Sequence, residues 1–380
     1  MIKSQLSSVL VLGAGKIGST VADMLAQHYR PLRITLADQQ QPAAEQDSNE
    51  LRIRCVKLDA SNAEALFAAL SEHDAVINCL PYFMAQQVAA MASTCGTHYF
   101  DLTEDVAATD AIRRMSADAS AVLMPQCGLA PGVIGMLGWE LASRFDTLYD
   151  LRLRVGALTR HATNSLRYNF TWSIDGVINE YCNPADAIVN GERVKVQPLE
   201  GHETFTLDAE AFEAFNTAGG LGTLCESLQG RVRNLDYKTI RYPGHREAMN
   251  FLLHDLRLVE RRDLLRQVLE LAVPHSRDDV VIVFASASGL RGGRFEQETC
   301  LSRIYGDTLR GKARTAIELS TAAGVVGVLE LLQKGRLPTR GFVRQEQVPL
   351  RDFLATRVGH YYAHLGDRLP APTEREAAHA

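Results

Sequence analysis

The segment "VLVLGAGKIGSTVADML", residues 9–25, decides the fold of this 380-residue chain. Its first four residues are apolar and predict a buried strand, and the small and apolar residues after the glycines predict a helix over 17–28. Between a strand and a helix, Gly13 allows a tight turn, Gly15 lets a pyrophosphate approach the backbone, and Gly18 lets the helix pack closely. The pyrophosphate would sit at the positive helix N-terminus. The segment therefore predicts a dinucleotide-binding site.

A carboxylate at the end of the next predicted strand, 33–37, supports this interpretation. Asp38 follows Gly18 at the spacing expected of the acid that accepts hydrogen bonds from the adenosine ribose. Three glutamines follow it, and no arginine that would hold a 2′-phosphate. The sequence therefore favours NAD over NADP.

Later strand ends complete the predicted cofactor site. Asp59 is expected near the adenine, or as a helix N-cap for which Ser61 is equally suited. Cys79-Leu80-Pro81 is expected beside the nicotinamide half, although a plain strand end would have the same composition. The predicted cofactor contacts are Gly13, Ala14, Gly15, Lys16, Ile17, Gly18, Asp38, Asp59, Cys79, Leu80, Pro81 and Leu102.

Residues 1–125 alternate short apolar runs with helical patterns, which predicts an α/β fold with a Rossmann-type, doubly wound parallel sheet. Near residue 147 the pattern changes to alternating strands, with one hairpin turning at Asn190-Gly191 and another around "GLRGG", and this indicates an inserted α+β domain. The other predicted strands are 51–58, 75–80, 98–101 and 121–124, and the other predicted helices are 63–70, 84–94, 175–181, 246–256 and 313–334, the last ending at Gly335.

These patterns divide the chain into four segments. We expect a dinucleotide-binding domain over 1–128, an inserted domain over 129–312, a segment over 313–368 that returns to the first domain, and a frayed tail over 369–380.

Composition excludes several classes of protein. The net charge of −5 gives no reason to expect a nucleic acid or an anionic membrane as a partner. The seven cysteines are scattered and include no C-x-x-C pair, so neither a disulfide framework nor a metal site is expected. The N-terminus leads directly into the first strand without a signal-peptide pattern, and no membrane span is expected. These features predict a cytoplasmic protein.

Five motifs in this order, "GAGKIG", "HYFDLTED", "CGLAPG", "FNTAGGLGTL" and "YKTIRYPGH", resemble the saccharopine dehydrogenase family of the reductase type. The likeness covers about residues 8 to 360 and is greatest for the lysine 6-dehydrogenases within that family. It implies a discontinuous dinucleotide domain and an inserted domain that carries the substrate site and pairs subunits, hence a homodimer. Many saccharopine reductases resemble this chain but carry Asp at the position of Ala130, and this departure favours lysine oxidation.

The resemblance implies that Asp101 faces the nicotinamide, where it would take a proton or steady an ammonium group; the alternative is a buried anchor for "LTED". Cys127 is the second predicted catalytic-site residue and is expected to line the pocket without forming a covalent bond, unless it is simply packed. His98, Tyr99 and Glu104 are further titratable groups at the same strand ends, and which of Asp101, His98 and Cys127 handles the proton stays open.

An amino-acid substrate needs a guanidinium fork for its carboxylate. Lys238 and Arg241 lie three apart on one predicted strand, hence on opposite faces, and the motif match favours Arg241. The glycine-rich residues around Asn216 are predicted either to contact the same carboxylate or to form only a turn that leads into a helix. The other predicted substrate contacts are Asn216, Thr217 and Thr223 through their backbone N–H groups, His245 beside Arg241, and Tyr168 and Trp172, which with Glu180 would form a pocket wall or a subunit contact.

The function implied by the resemblance is NAD-dependent oxidation of the ε-amine of L-lysine, a small amino-acid substrate, with release of ammonia and an aldehyde that cyclises. The alternative enzyme is a saccharopine-type or carboxynorspermidine-type reductase that joins an aldehyde to an amine, which would need a second cationic fork. A non-catalytic dinucleotide-binding sensor is the alternative from another class. Asp101, Arg241 and the glycine-rich motif together argue against it.

Overall fold

The computed structural model describes residues 6–29, 31–42 and 53–366. The predicted tail over 369–380 and the first residues of the predicted strand 51–58 lie outside the described residues. The strands are β1 Ser8–Leu12, β2 Arg33–Asp38, β3 Ile53–Lys57, β4 Ala75–Asn78, β5 His98–Asp101, β6 Val122–Met124, β7 Thr147–Thr159, β8 Ala185–Val189, β9 Glu192–Val196, β10 Glu203–Leu207, β11 Glu210–Asn216, β12 Val232–Arg241, β13 Asp279–Arg291, β14 Arg294–Tyr305, β15 Asp307–Leu309, β16 Lys312–Arg314 and β17 Gly341–Phe342.

The helices alternate with the strands in the first third of the chain and are spread unevenly through the rest. They are α1 Lys16–His28, α2 Ala63–Ser71, α3 Ala85–Cys95, α4 Val106–Met115, α5 Val133–Ala142, α6 Ile174–Cys182, α7 Leu224–Leu228, α8 His245–Asn250, α9 Arg262–Ala272, α10 Ala316–Gln333 and α11 Leu350–Leu354. A π-helical turn, Phe251–Asp255, continues α8.

The first sheet is parallel throughout, in the order β17-β6-β5-β4-β1-β2-β3. Alternate residues of β1 enter two separate apolar cores. Val9 and Val11 pack with α1 and α10, whereas Leu10 and Leu12 pack with α2, α3 and α4. Burial on both faces explains why this strand is continuously apolar. The prediction of a doubly wound, Rossmann-type sheet is confirmed.

The second sheet is mixed and has the order β10-β11-β12-β7-β13-β14, with β8 and β9 attached beside β12. Strands β7 and β12 run parallel, and the other pairs are antiparallel. Both predicted hairpins are present: Asn190 and Gly191 turn with positive φ between β8 and β9, and Gly292 and Gly293 do so between β13 and β14. The second, α+β domain is therefore also as predicted.

The chain returns to the first sheet through α10 and β17. The Tyr29 hydroxyl at the end of α1 donates a hydrogen bond to Glu330 of α10, and β17 pairs with β6. The predicted start of this helix at residue 313 is wrong, because 312–314 form β16 and Thr315 caps the helix in a capping box with Glu318. Gly335 has φ +67° at its C-terminal end, as a helix-terminating glycine requires.

Within the described residues, one helix, α10, is long and apolar enough to cross a membrane. It is 89% buried inside the protein, where it packs on α1. Its apolar surface is therefore buried in the core of the protein.

Candidate active site

A cavity of about 560 Å³ opens where the two sheets meet. One wall consists of the glycine turn after β1 and the carboxyl ends of β4 and β5. The opposite wall comes from β7, β12 and α6. Ligands of open parallel sheets bind outside the carboxyl ends of the strands, so the cavity is in the expected place for a cofactor and a substrate.

The glycine turn has the shape that a pyrophosphate requires. A Cβ atom on Gly18 would lie 1.8 Å from the carbonyl oxygen of Gly13, and one on Gly13, whose φ is +94°, would lie 2.9 Å from the carbonyl oxygen of Cys79. A Cβ atom on Gly15, which lines the cavity, would meet no atom within 4 Å. The turn is thus tight where the chain packs and open where the ligand binds, and its residues fit a dinucleotide.

Asp38 holds this turn against β2. Its Oδ2 accepts a hydrogen bond of 2.7 Å from the N–H of Ala14, and its Oδ1 accepts one of 3.0 Å from Gln40. The carboxylate is half-buried beside the turn, at the adenosine end of the predicted site.

Neither Asp59 nor Asp38 lines the cavity, so the expected place of Asp59 near the adenine stays a prediction, whereas the alternative of an N-cap is wrong. Its Oδ1 accepts hydrogen bonds from the N–H and the hydroxyl of Ser61, at 2.9 and 2.6 Å, on an exposed turn. The cap of α2 is Asn62, which accepts from Ala65 at 3.0 Å. The hydrogen bonds from Ser61 lower the pKa of Asp59.

The remaining predicted cofactor contacts after the turn meet at one place. Cys79, Leu80 and Pro81 follow β4, Leu102 follows β5, and all four line the cavity. They form the part of the wall where the nicotinamide half is expected.

Asp101 lines the cavity and also anchors the loop that follows it. It is buried, and it accepts hydrogen bonds from the hydroxyl of Tyr99 (2.7 Å) and from the N–H groups of Thr103 (3.0 Å) and Gln126 (2.8 Å). Burial raises its pKa to about 6, against the opposing effect of these three donors. Asp101 therefore fits both roles considered for it, because it lines the cavity and also anchors the backbone of "LTED".

Cys127 does not line the cavity, and its position agrees with the alternative of a packed residue. Its thiol points away from the cavity, where it donates to the carbonyl of Met124 at 3.1 Å and accepts from the amide of Gln345 at 3.4 Å. Burial raises the pKa of this thiol, so it stays protonated. His98 also lies away from the cavity, at the opposite end of β5, and its Nδ1 accepts from the N–H of Val122 at 3.0 Å.

Arg241 is, with Arg266, one of the two arginines among the described residues that line the cavity. Its side chain is buried, with 1% of its surface exposed, and its guanidinium lies 5.0 Å from the ring centroid of Tyr168. Its Nε donates to the hydroxyl of Tyr181 at 2.9 Å and its Nη1 to the carbonyl of Ile240 at 2.8 Å. No carboxylate among the described residues forms an ion pair with it. Lys238 lies on the other face of the strand, as alternation predicts, and its Nζ is 2.7 Å from Glu203.

Several predicted substrate contacts lie behind the cavity wall. Tyr168 and His245 pack around Arg241, and neither lines the cavity. Trp172 does line it. The aromatic pair therefore supports the guanidinium from the protein side.

The glycine-rich stretch 215–224 is close-packed protein interior. A Cβ atom on Gly219 would lie 2.7 Å from the carbonyl oxygen of Glu104, so this stretch has the backbone of "LTED" as its neighbour. Thr223 donates its hydroxyl to Glu346 of the returning segment, at 2.9 Å. Asn216 and Thr217 are buried and do not line the cavity. The expected role of this stretch in carboxylate binding is therefore corrected to one of packing.

Besides Asp175 and Glu270, which lie beside Arg266, two further acidic groups face the cavity. Glu180 on α6 is buried without a hydrogen-bond donor to its carboxyl group among the described residues, and burial raises its pKa to about 8 although Arg241 opposes this. Burial also raises the pKa of Glu104, which accepts from the amide of Asn179 at 3.3 Å. Of the two roles predicted for Glu180, a pocket wall or a subunit contact, its position on the cavity agrees with the first.

Arg241, Glu180, Glu104 and Asp101 thus line the same cavity. Glu180 is influenced by both Arg241 and Glu104, and Glu104 in turn by Asp101. A basic group that is able to pair with a carboxylate and acidic groups that are able to pair with an amine therefore face the same space. The described residues include no group of His, Cys, Asp and Glu side chains placed to hold a metal ion.

Comparison with known proteins agrees with this architecture. The family model described as "Saccharopine dehydrogenase NADP binding domain" matches residues 9–160, and that described as "Saccharopine dehydrogenase C-terminal domain" matches residues 128–359. Alpha-aminoadipic semialdehyde synthase, mitochondrial, of Mus musculus is 27% identical over 265 residues, which cover 64% of this chain and 27% of the relative. Saccharopine dehydrogenase (NADP(+), L-glutamate-forming) of Schizosaccharomyces pombe is 25% identical over 204 residues, covering 52% of this chain and 45% of the relative.

The chain therefore spans less than half the length of these curated relatives. A solved structure of apo saccharopine dehydrogenase (L-Glu forming) from Saccharomyces cerevisiae has the same fold, with a TM-score of 0.76 at 17% identity over 94% of this chain and 98% of that one. Because the C-terminal-domain model alone matches more than half of the residues, this chain belongs to the saccharopine dehydrogenase family.

Proposed function

We propose that the protein is an NAD-dependent dehydrogenase that oxidises the ε-amine of free L-lysine. The observation that carries the proposal is Arg241, a buried guanidinium that has no carboxylate partner among the described residues and faces a cavity with acidic groups. A buried charge without a partner is costly, and a ligand carboxylate would compensate it.

The opposite charges fit the two ends of lysine. With the α-carboxylate on Arg241, the ε-ammonium group would lie among the carboxyl groups of Glu180, Glu104 and Asp101, which line the same cavity as the nicotinamide part of the wall. The ε-ammonium would then meet carboxyl groups near the cofactor.

Oxidation of the amine requires its neutral form, and the ordinary pKa of a lysine ammonium is about 10.4. Glu180 has its pKa raised to about 8 by burial and has no competing hydrogen-bond donor among the described residues, so it is the better proton acceptor of the acidic groups. Asp101 already accepts three hydrogen bonds and contributes a fixed negative charge. When bound, NAD supplies the hydride acceptor; hydrolysis of the resulting imine releases ammonia and an aldehyde that cyclises.

Asp38 supports NAD as the cofactor. A 2′-phosphate would place negative charge beside this half-buried carboxylate, and the exposed Gln39 and Gln40 after it carry no positive charge. The matching family domain is named for NADP, so the choice between the two needs a direct measurement.

The saccharopine-type reaction is the second candidate, because the curated relative from Schizosaccharomyces pombe is named for it. Saccharopine has more carboxylates than lysine and would need a second basic group. Of the two arginines that line the cavity, Arg266 already lies 3.0 Å from Asp175 and 3.9 Å from Glu270, which favours the smaller substrate.

The test is the rate of nicotinamide reduction at alkaline pH, with NAD and with NADP, for L-lysine, L-ornithine, cadaverine and saccharopine, together with the ammonia released. We expect reduction of NAD by L-lysine with stoichiometric ammonia, and a large loss in Arg241→Met. Lys238→Met, on the opposite face of the same strand, is the matched control and should retain the affinity for lysine. Turnover of saccharopine without lysine would replace the proposal by the reductase reaction.

We also propose that the protein forms a homodimer. Helix α9 supports this, since Leu264 and Leu271 lie on one face and are 39% and 92% exposed. Exposed apolar stripes of this kind are typical of contact surfaces. Sedimentation equilibrium of the full chain should give the mass of a dimer, and Leu271→Glu should weaken the association.

A further inference from the structure

Behind Arg241 lies a row of hydrogen bonds that we call the Arg241 relay: Tyr181, His245 and the carbonyl group of Leu166. The guanidinium Nε lies 2.9 Å from the Tyr181 hydroxyl, that hydroxyl lies 3.0 Å from Nε2 of His245, and Nδ1 of His245 lies 2.8 Å from the carbonyl oxygen of Leu166. Tyr181 and His245 are both 1% exposed, and no member of the relay lines the cavity.

The partners determine the direction of every hydrogen bond in the relay. A carbonyl oxygen only accepts, so Nδ1 of His245 carries the hydrogen and Nε2 of the neutral ring accepts. The Tyr181 hydroxyl must therefore donate to His245, which leaves its oxygen lone pairs for the N–H of Arg241. Burial and the adjacent Arg241 lower the pKa of His245 to about 3, so the ring is neutral at any pH at which the enzyme would work.

We propose that Tyr181 and His245 are positioning residues that present Arg241 to the carboxylate of an amino-acid substrate. The relay accepts from the guanidinium through a neutral oxygen, so it orients the group without cancelling its charge. A carboxylate at the position of Tyr181 would pair with Arg241 and compete with the substrate.

The number of donors supports this role. Of the five N–H groups of a guanidinium, Nε and one on Nη1 have acceptors among the described residues. The remainder are available for a ligand carboxylate. Two aromatic contacts hold the relay rigid: the His245 ring stacks on Phe215 with a centroid distance of 6.2 Å, and it lies 5.2 Å from Tyr168. A pre-organised donor loses less conformational entropy when it binds its ligand.

This inference rests on the proposed carboxylate site, so its test uses binding and not turnover. L-Norleucine is lysine without the ε-amine and cannot react there. We would measure its affinity for the NAD-loaded full chain by calorimetry in the wild type, Tyr181→Phe and Tyr242→Phe. Tyr242 is the matched control, because its hydroxyl donates to the carbonyl of Thr159 at 3.0 Å and not to the relay. We expect about tenfold weaker binding in Tyr181→Phe and no change in Tyr242→Phe.

Tyr181→Phe leaves two buried groups unpaired and can impair folding, so a second pair of variants is needed. In His245→Gln the amide reaches the position of Nε2 and its oxygen can accept from Tyr181, whereas in His245→Leu neither hydrogen bond forms. We expect His245→Gln to recover most of the affinity that His245→Leu loses, with the far-ultraviolet circular dichroism of both unchanged. In turnover, the loss should appear in KM for the amino acid and not in kcat.

The outcomes separate the relay from the proposed reaction. If lysine is not oxidised but norleucine binds more weakly to Tyr181→Phe than to the wild type, the reaction is wrong and the relay stands. If Tyr181→Phe and His245→Leu bind norleucine as the wild type does while Arg241→Met does not, the relay is refuted and the carboxylate site stands. If Arg241→Met binds norleucine as tightly as the wild type does, both the relay and the carboxylate site are refuted.

Discussion

Replacing Glu180 by glutamine should stabilise the folded protein at alkaline pH while removing most of its turnover. Glutamine has the same shape and no charge. Glu180 is buried and has no hydrogen-bond donor to its carboxyl group among the described residues, so its ionised form is poorly stabilised in the folded protein. The substitution removes this unfavourable charge and, with it, the proposed proton acceptor.

The size and sign of the stability effect follow from the pKa. The ordinary pKa of glutamate is 4.5, and burial raises that of Glu180 to about 8. Between these values the unfolded chain has lost the proton and the folded chain has kept it, so the free energy of unfolding falls as pH rises. A tenfold change in the acid dissociation constant corresponds to about 1.4 kcal/mol. The free energy of unfolding is therefore lowered by roughly 3 kcal/mol at pH 7 and by about 5 kcal/mol above pH 8.

The assay is the midpoint of thermal unfolding at pH 5, pH 7 and pH 9 for the wild type, Glu180→Gln and the exposed control Glu64→Gln. Glu180→Gln should match the wild type near pH 5 and exceed it by several degrees at pH 9. Glu64→Gln should follow the wild type throughout. A Glu180→Gln variant that is less stable than the wild type at pH 9 would refute the assignment of a raised pKa.

The same variant tests the chemistry. As a base, Glu180 acts only when deprotonated, so kcat/KM for lysine in the wild type should rise with pH and level off near pH 8. In Glu180→Gln the turnover rate should fall by about 10²–10⁴-fold, and the rise of kcat/KM towards pH 8 should disappear. A profile that keeps its shape in the variant would assign the proton transfer to another group.

Three other substitutions test single features of the fold and the cofactor site. Asp38→Ser should raise the kcat/KM ratio of NADP over NAD by roughly tenfold, because it removes the charge that opposes a 2′-phosphate; an unchanged ratio would exclude Asp38 as the determinant. Gly18→Ala should cost about 1–3 kcal/mol of stability and abolish nucleotide binding, since its Cβ would lie 1.8 Å from the oxygen of Gly13, whereas Gly15→Ala should retain the stability because its Cβ meets no atom within 4 Å. Thr315→Ala should lower the free energy of unfolding by about 1 kcal/mol through loss of the cap of α10, and a variant of unchanged stability would contradict that role.

Features whose determinants are close together in the chain were predictable. The turn at Gly13, Gly15 and Gly18 depends on the steric demands of a few successive residues, and the hairpin at Asn190-Gly191 depends on two positive φ angles. Helix α4 was missed although its N-cap, Asp105, is visible in the sequence. It follows directly after a predicted site motif, in a stretch for which no helix or strand was predicted.

Predictions about the site were correct when they needed only strand alternation. Arg241 and Lys238 lie on opposite faces, because side chains alternate along β12. Predictions that needed a distant neighbour were wrong. Thr223 binds Glu346, which is 123 residues away, and Cys127 faces Gln345, which is 218 residues away. The returning segment packs against these residues from far away in the chain, so the contact leaves no pattern in the sequence around Thr223 or Cys127.

The amino-acid sequence by itself determined the class of fold, the glycine turn that fits a dinucleotide, and Arg241 as the candidate for a carboxylate contact. Only the tertiary structure decided which acids share a cavity with that arginine and in which state of protonation. Glu180 has its pKa raised to about 8 because segments far apart in the chain exclude water from it. Desolvation depends on everything that surrounds a group in space, whereas turns and strand faces depend on neighbours in the chain.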